Sequence, residues 1–206
     1  MDRLVHTTHL EMTDASQSVG WTGERRIVVQ PSELPCPEVC RFFYAAVGND
    51  WWWYSRDEWT REQWLTHANR TDLRTWIGTV QGTPIGYFEL VSGAKNETEI
   101  LFFGLLPTFI GRGFGPEFLR AATESAWRGN PSRIWLHTCD LDHPRALANY
   151  QAAGFRIFKT TEEIEHLPDQ PVNFWPNEVD TEATADTTNT TANTTADTAT
   201  HITDRD

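Results

Sequence analysis

The residues of this chain best placed to do chemistry are the glycines of the segment Ile110-Gly111-Arg112-Gly113-Phe114-Gly115. This segment follows a strand-like run over residues 99–106 and precedes a helix-like run over residues 116–127. A helix that begins after such a turn presents unpaired N–H groups and the positive end of its dipole. Glycine also lets the main chain approach a ligand closely and adopt positive φ angles. The pattern therefore predicts a site that binds a phosphate or pyrophosphate group.

Hydrophobic periodicity predicts the elements that position this loop. Strands are expected over residues 24–30, 73–80, 84–91, 96–106, 133–139 and 154–159. Helices are expected over residues 37–47, 57–68, 116–127 and 144–153. The loop thus follows a three-strand meander, and it lacks the Lys-Ser/Thr pair of a P-loop. This order predicts an α/β (α+β) domain whose central sheet is mixed, mostly antiparallel and flanked by helices.

Composition excludes several classes of protein. The formal net charge of −12 argues against a nucleic-acid-binding protein, which would carry a basic face. There is no apolar run of about eighteen residues, so no membrane span is expected. Because the N-terminus also lacks the apolar core of a secretory signal, we expect a cytoplasmic protein. The three cysteines show no CxxC pairing, and no metal site is predicted.

The chain divides by composition into three parts. Residues 1–20 mix charged and polar side chains without an apolar core and are predicted to be a flexible leader. Residues 21–168 hold nearly all the large apolar side chains and are predicted to form the domain. Residues 181–200 contain ten Thr and five Ala. Because such a composition cannot bury enough surface to offset its ordering entropy, residues 171–206 are predicted to be a disordered acidic tail.

A second pattern follows the glycine loop, in the segment Ala146-Leu147-Ala148-Asn149-Tyr150-Gln151-Ala152-Ala153-Gly154-Phe155. Together the two patterns resemble the GNAT superfamily of acyl-CoA-dependent N-acyltransferases. Gly113 and Gly115 match the glycines of that family's Q/R-x-x-G-x-G/A loop, and the second segment matches its A-x-x-x-Y-x-x-x-G-F motif. The order of elements also agrees, over residues 24–159. Ile110 departs from the family pattern, because it stands where Gln or Arg is usual.

The resemblance implies direct transfer of an acyl group from a thioester to an amine, which requires a base and an acid. Glu99 lies where the family often has its base, and Tyr150 matches the tyrosine that protonates the leaving thiolate. A solvent-facing Glu99 and a merely packed Tyr150 are the alternatives. His137 is a minor alternative to Glu99 as the base. Cys139 as a covalent nucleophile ranks low, since no base and orienting group are evident beside it.

The resemblance also implies which residues hold acetyl-CoA. The strand before the loop would pair its backbone with the pantetheine arm, and the loop would cradle the pyrophosphate. His143 replaces an Asn of many relatives and could still donate a hydrogen bond. The predicted cofactor-binding residues are therefore Phe103, Gly104, Leu105, Gly111, Arg112, Gly113, Phe114, Gly115 and His143.

The sequence indicates the acceptor end of the site less clearly than the cofactor end. Trp52, Trp53 and Tyr54 lie in the region that helps form the acceptor pocket in the family, and they are predicted to bind the substrate. Beside Asp50 and Asp57 they would suit a cationic or apolar amine, although they could equally cover the core. We thus expect an N-acetyltransferase for a small-molecule or peptide amine, working as a monomer or homodimer. The alternative is a non-catalytic acyl-CoA-binding sensor module.

Overall fold

The computed structural model describes residues 1–48, 50–168 and 174 of the chain. Seven strands are present in these residues: β1 Asp2–Met12, β2 Val28–Pro31, β3 Leu73–Val80, β4 Thr83–Gly93, β5 Glu97–Leu105, β6 Arg133–Cys139 and β7 Arg156–His166. Four α-helices accompany them: α1 Pro37–Gly48, α2 Arg61–Ala68, α3 Gly115–Trp127 and α4 Ala146–Ala152. The mixed α/β class and the mostly antiparallel sheet predicted from the sequence are therefore confirmed.

The strands form one sheet in the order β2-β3-β4-β5-β6-β1-β7. Each neighbouring pair is antiparallel except β5 and β6, which are parallel. This parallel pair is short, because it joins only Glu97–Glu99 to Arg133–Trp135. After Glu99 the two strands no longer pair, although β5 continues to Leu105 and β6 to Cys139. The end of this pairing determines where the sheet can open.

Helices pack on both faces of the sheet. On one face α3 and α4 enclose the main core, which contains Leu10, Phe88, Phe118 and Leu136. On the other face α1 and α2 pack against β3, β4 and β5. There Phe43 and Val47 of α1 meet Tyr87 of β4 in a second apolar cluster. The two layers fix the position of β5, which has a helix on each face and carries the predicted site residues.

The predicted leader is wrong, because residues 2–12 form β1, which lies inside the sheet between β6 and β7. Val5, Leu10 and Met12 of this strand are at most 1% exposed. Val5 joins a small cluster on one face of the sheet, whereas Leu10 and Met12 enter the main core on the other. Side chains at odd and even positions of a strand point to opposite faces. The buried apolar residues of β1 are therefore divided between the two faces of the sheet, and the strand lacks the one-sided alternation by which a strand is usually predicted.

The segment after β1 is also attached to the domain. Arg120 of α3 donates hydrogen bonds to Ser18 Oγ at 2.6 Å and to the Val19 carbonyl at 3.1 Å. The compact unit accordingly runs from Met1 to Phe174 rather than from residue 21. Apart from Phe174, the predicted tail over residues 171–206 lies outside the described residues. Among the helices that are described, none is both long and apolar enough to cross a membrane.

Candidate active site

The divergence of β5 and β6 opens a cleft of about 890 Å³. One wall consists of β5 beyond the parallel pairing, at residues 100–105, and the opposite wall includes His137 and Cys139 of β6. Because β6 does not pair with this part of β5, the backbone groups on that edge have no partner from β6. Phe103, Gly104 and Leu105, the residues predicted to pair with a pantetheine arm, all line the cleft. An extended ligand with amide groups could add to this strand edge as a further strand does.

The glycine loop forms one end of the cleft. Gly111 and Gly113 both have a φ of +78°, a conformation that side-chain-bearing residues rarely adopt. No carbonyl of the described backbone accepts a hydrogen bond from the N–H groups of Arg112, Gly113 or Gly115. Ile110, Gly111, Gly113 and Gly115 line the cleft, at the start of α3. Free N–H groups at a helix N-terminus match the chemistry of a phosphate, so the loop fits the group that the sequence predicts for it.

A buried carboxylate fixes this loop against the first part of the domain. Glu117, in the first turn of α3, is 5% exposed and accepts hydrogen bonds from the backbone N–H groups of Arg26 and Ile27, at 2.6 and 2.8 Å. Arg26 in turn donates to the Gly113 carbonyl at 2.9 Å and lies 4.5 Å above the Phe114 ring. Phe114 therefore packs against Arg26, the residue that holds the loop. Neither Phe114 nor the exposed Arg112 is part of the cleft wall, although both were predicted to touch the cofactor.

Tyr150 and His143, two of the predicted site residues, line the cleft on its α4 side. Burial raises the pKa of Tyr150 well above its usual range, so its hydroxyl carries a proton at neutral pH. Within the described residues no hydrogen bond occupies that hydroxyl, which leaves it available to a ligand. The Arg145 backbone N–H donates to His143 Nδ1 at 3.0 Å. A neutral His143 therefore carries its proton on Nε2, which is the donor predicted for it.

Glu99 and His137 lie at the start of the divergence. The Glu99 side chain is 17% exposed and its carboxylate Oε1 is 3.7 Å from His137 Nδ1. His137 lines the cleft, whereas Glu99 does not. Burial raises the pKa of Glu99 and the neighbouring Glu97 adds to this, while Arg70 opposes it. Burial also lowers the pKa of His137, against the charge of Asp142. Glu99, the predicted base, therefore does not line the cleft itself, and His137 of β6 lies between it and the cleft.

The four aromatic residues 51–54, which we call the aromatic bridge, cross from the end of α1 to the strands on the far side of the cleft. The Trp51 ring meets the His143 ring at a centroid distance of 4.9 Å. Trp53 Nε1 donates to Asp142 Oδ1 at 3.4 Å, and the Tyr54 hydroxyl donates to Glu165 of β7. All four aromatic residues line the cleft, including the three predicted to bind substrate. Burial and Glu165 together raise the pKa of Tyr54 to about 12.

Buried polar side chains hold the chain that follows the bridge. The Arg56 guanidinium lies 4.5 Å from the rings of both Trp59 and Phe102, and its Nη1 is 3.2 Å from His67 Nε2. His67 Nε2 is also 2.8 Å from Glu89 Oε2. His67 is 3% exposed and Glu89 is 1% exposed. No sequence motif predicts this network, because its members lie on a loop, a helix and a strand and only the fold brings them together.

Asp142 also belongs to the site, although the sequence did not predict it. Its Oδ2 accepts hydrogen bonds from Thr138 Oγ1 at 2.7 Å and from the Cys139 N–H at 3.0 Å, while Oδ1 holds Trp53. Asp142 therefore ties the loop after β6 to the aromatic bridge. A carboxylate three residues after the last residue of a strand is the available signal, since Asp side chains commonly bind nearby backbone N–H groups in turns.

The other chemical candidates receive less support. Burial and Asp142 raise the pKa of Cys139 to about 11, so this residue is a neutral thiol near pH 7. A neutral thiol is a poor nucleophile. In the part of the chain that the structure describes, no group of three His, Cys, Asp or Glu side chains is arranged to hold a metal ion.

Comparison with known families identifies the class of protein that this fold and cleft define. A model of the acetyltransferase (GNAT) family matches residues 41–155, which is more than half of the chain. The chain therefore belongs to the acetyltransferase (GNAT) family. No curated protein matches it.

Solved structures agree on the fold. A GCN5-related N-acetyltransferase from Sphaerobacter thermophilus is 17% identical with a TM-score of 0.58, over 78% of this chain and 50% of that one. One from Kribbella flavida is 16% identical with a TM-score of 0.56, over 79% of this chain and 59% of that one. A spermidine N-acetyltransferase mutant from Vibrio cholerae is 22% identical with a TM-score of 0.51, over 64% and 80%. The chain spans about half to three fifths of several of these structures.

Proposed function

We propose that this protein transfers an acetyl group from acetyl-CoA to a primary amine by direct attack within a ternary complex. The observation that supports this most is the cleft between β5 and β6, with free loop N–H groups at one end and His137, backed by Glu99, at the other. Such a cleft suits a long thioester whose diphosphate is held at one end and whose carbonyl is presented at the other. The proposed donor carries an acetyl group rather than a longer acyl chain.

Each part of the cleft has a role in this proposal. The N–H groups of Gly111, Gly113 and Gly115 hold the pyrophosphate, and His143 Nε2–H supplies a further donor. The free edge of β5 at residues 103–105 pairs with the pantetheine amides. Tyr150 gives its hydroxyl proton to the leaving sulfur, a role that its raised pKa allows because the proton is still present at neutral pH. Glu99 belongs to the machinery that removes a proton from the amine.

The aromatic bridge is the proposed contact surface for the acceptor. Trp52, Trp53 and Tyr54 line the cleft, and Glu165 adds a carboxylate beside Tyr54. Aromatic rings attract cations through their quadrupoles, by about 0.5–2 kcal/mol per contact. The proposed acceptor is therefore a cationic or apolar amine, either a small molecule or the side chain of a peptide.

Binding and turnover test this proposal separately. Calorimetric titration with acetyl-CoA is expected to show saturable binding, and titration with NADH is expected to show none. Thiol release is then measured with tyramine, spermidine and Nα-acetyl-lysine as acceptors. The Tyr150→Phe variant keeps the ring but removes the hydroxyl, so it is expected to bind acetyl-CoA unchanged while kcat falls about 10²-fold. Absence of acetyl-CoA binding by the folded protein would overturn the proposal.

A non-catalytic acyl-CoA-binding module is the second candidate. The observation in its favour is that Glu99 is not part of the cleft wall, since a sensor needs the glycine loop but no base. Saturable acetyl-CoA binding, with no amine-dependent thiol release above that of the Tyr150→Phe variant, is the result that this candidate predicts.

A further inference from the structure

The position of His137 relative to Glu99 bears on the proton transfer. His137 lines the cleft and its side chain is 44% exposed, whereas Glu99 is 17% exposed and lies outside the cleft lining. The Nδ1 atom of His137 faces Glu99 Oε1 at 3.7 Å, which is too long for a hydrogen bond but close enough for an ion pair. Nε2 is then the ring nitrogen that is not turned toward Glu99. In the described residues no hydrogen bond occupies His137.

The strand β1 places a second imidazole beside the first. His9 is directly opposite His137 in the antiparallel β1–β6 pair, and the two ring centroids are 5.7 Å apart. The His9 ring also meets Trp135 at 6.4 Å and Phe158 at 6.0 Å. His137 therefore stands between a carboxylate on one neighbouring strand and a packed aromatic group on the other, an arrangement that restricts how its ring can turn.

The charged and titratable groups around His137 come from every element packed against it. They are Glu99 on β5, with Arg70 and Glu97 beside it, His9 on β1, Asp142 after β6, and Lys159 on β7 next to His9. Burial lowers the pKa of His137, and burial together with His137 and Lys159 lowers the pKa of His9. Both imidazoles are therefore neutral near pH 7, and a neutral His137 has a free lone pair with which to accept a proton.

We infer that His137 is the base of the proposed acetyl transfer, and that Glu99 acts through it as a positioning residue that stabilises the imidazolium. This inference rests on the proposed function. His137 takes one proton from the acceptor ammonium, and the resulting positive charge lies 3.7 Å from the Glu99 carboxylate. The amine nitrogen then forms the C–N bond while the C–S bond breaks and the sulfur keeps the electron pair. The sulfur takes the Tyr150 proton, Tyr150 recovers one from the nitrogen, and His137 releases its proton to solvent.

The experiment is a pH profile of kcat/KM for the wild type and three variants, with the fastest of tyramine, spermidine and Nα-acetyl-lysine as acceptor. In the wild type kcat/KM falls on the acidic side of neutrality, below the usual histidine range, because protonation removes the base and burial lowers the pKa of His137. His137→Asn is expected to lower kcat about 10²-fold and to abolish this acidic limb. Glu99→Gln is expected to lower kcat about tenfold and to move the limb to lower pH, since loss of the carboxylate makes the imidazolium less stable. His6→Asn, on the same strand as His9 and paired with exposed Glu162, is the matched control with an unchanged profile.

A double variant separates this arrangement from its rival. If Glu99 acts through His137, adding Glu99→Gln to His137→Asn lowers kcat no further, since coupled residues are not additive. If Glu99 is itself the base, Glu99→Gln abolishes the acidic limb while His137→Asn retains it, and that result overturns the inference. Histidine NMR titration gives a readout that needs no acceptor, because the His137 pKa is expected to fall in Glu99→Gln. If the His137 pKa is the same in Glu99→Gln as in the wild type, the inference is overturned. If that pKa falls as expected but no acceptor is acetylated, only the proposed function is overturned.

Discussion

The two ends of the cleft are built by different means. At the loop end, the groups that face the cleft are backbone N–H groups supplied by one contiguous segment, residues 110–115. At the acceptor end they are side chains carried by distant segments: the aromatic bridge, His137 on β6 and Glu165 on β7. Glu99 on β5 and His9 on β1 flank His137 without lining the cleft. The loop end can therefore be recognised as a sequence motif, because its geometry is local. The acceptor end cannot, because it depends on strand order and packing.

The largest expected effect concerns the polar network beneath the acceptor end. In the His67→Ala variant the Glu89 carboxylate, 1% exposed, loses its His67 partner and retains, among the described residues, the hydrogen bond from Thr75. Removing one partner of a buried pair costs about 3–5 kcal/mol, because the other charge remains buried. Urea unfolding should therefore show the free energy of unfolding of His67→Ala lowered by about that amount.

The control for this prediction lies on the same helix. Arg61 of α2 pairs with Glu38, and the two side chains are 71% and 63% exposed. Replacing Arg61 with Ala is expected to leave the unfolding midpoint unchanged, since surface pairs contribute little. Equal midpoints for His67→Ala and Arg61→Ala would show that the acceptor end does not depend on this buried network.

Elements with a local signal in the sequence could be predicted, whereas those that depend on distant contacts could not. The hairpin of β3 and β4, the strand before the loop and the helix after it were predicted because each has a local apolar period or turn signal. The glycine loop and Tyr150 were found on the cleft because the spacing of the two motifs is local. The α2 helix was predicted to begin at residue 57 and begins at Arg61, where Thr60 and Gln63 form a capping box. A stronger capping signal a few residues further along determined that start.

The misses have a common physical cause. The sequence predicts a leader in place of β1 because Val5 and Leu10 are buried on opposite faces, so the strand has no one-sided amphipathic alternation. Its role depends on β6 and β7, which follow more than a hundred residues later in the chain. For the same reason His9 could not be predicted to lie beside His137, since only the β1–β6 register brings them together.

Substitutions on β1 test whether this strand is structural support for the acceptor end of the cleft. Leu10 is fully buried in the main core, and Leu10→Ala is expected to lower the free energy of unfolding by about 3 kcal/mol through lost burial and a residual cavity. Leu4→Ala on the same strand is the control, because Leu4 is 47% exposed and should change stability by less than about 1 kcal/mol. If the two variants unfold at the same urea concentration, β1 is not the integral strand that the sheet order implies.

The smallest expected change in stability tests the loop end, and it uses two glycines with nearly the same conformation. Gly113 in the loop has a φ of +78° and Gly82 in the β3–β4 turn has a φ of +81°, and an added Cβ meets no atom closer than 4.0 Å at either position. Ala at either position should therefore lower the free energy of unfolding by a similar amount, about 1 kcal/mol.

Only Gly113→Ala should weaken acetyl-CoA binding, by about tenfold or more, because a loop that relaxes toward negative φ turns its N–H groups away from the phosphate. Calorimetry of both variants at a temperature where each is fully folded measures this difference. Equal affinities would mean that side chains such as His143, rather than backbone N–H groups, hold the cofactor, and the contrast between the two ends of the cleft would disappear.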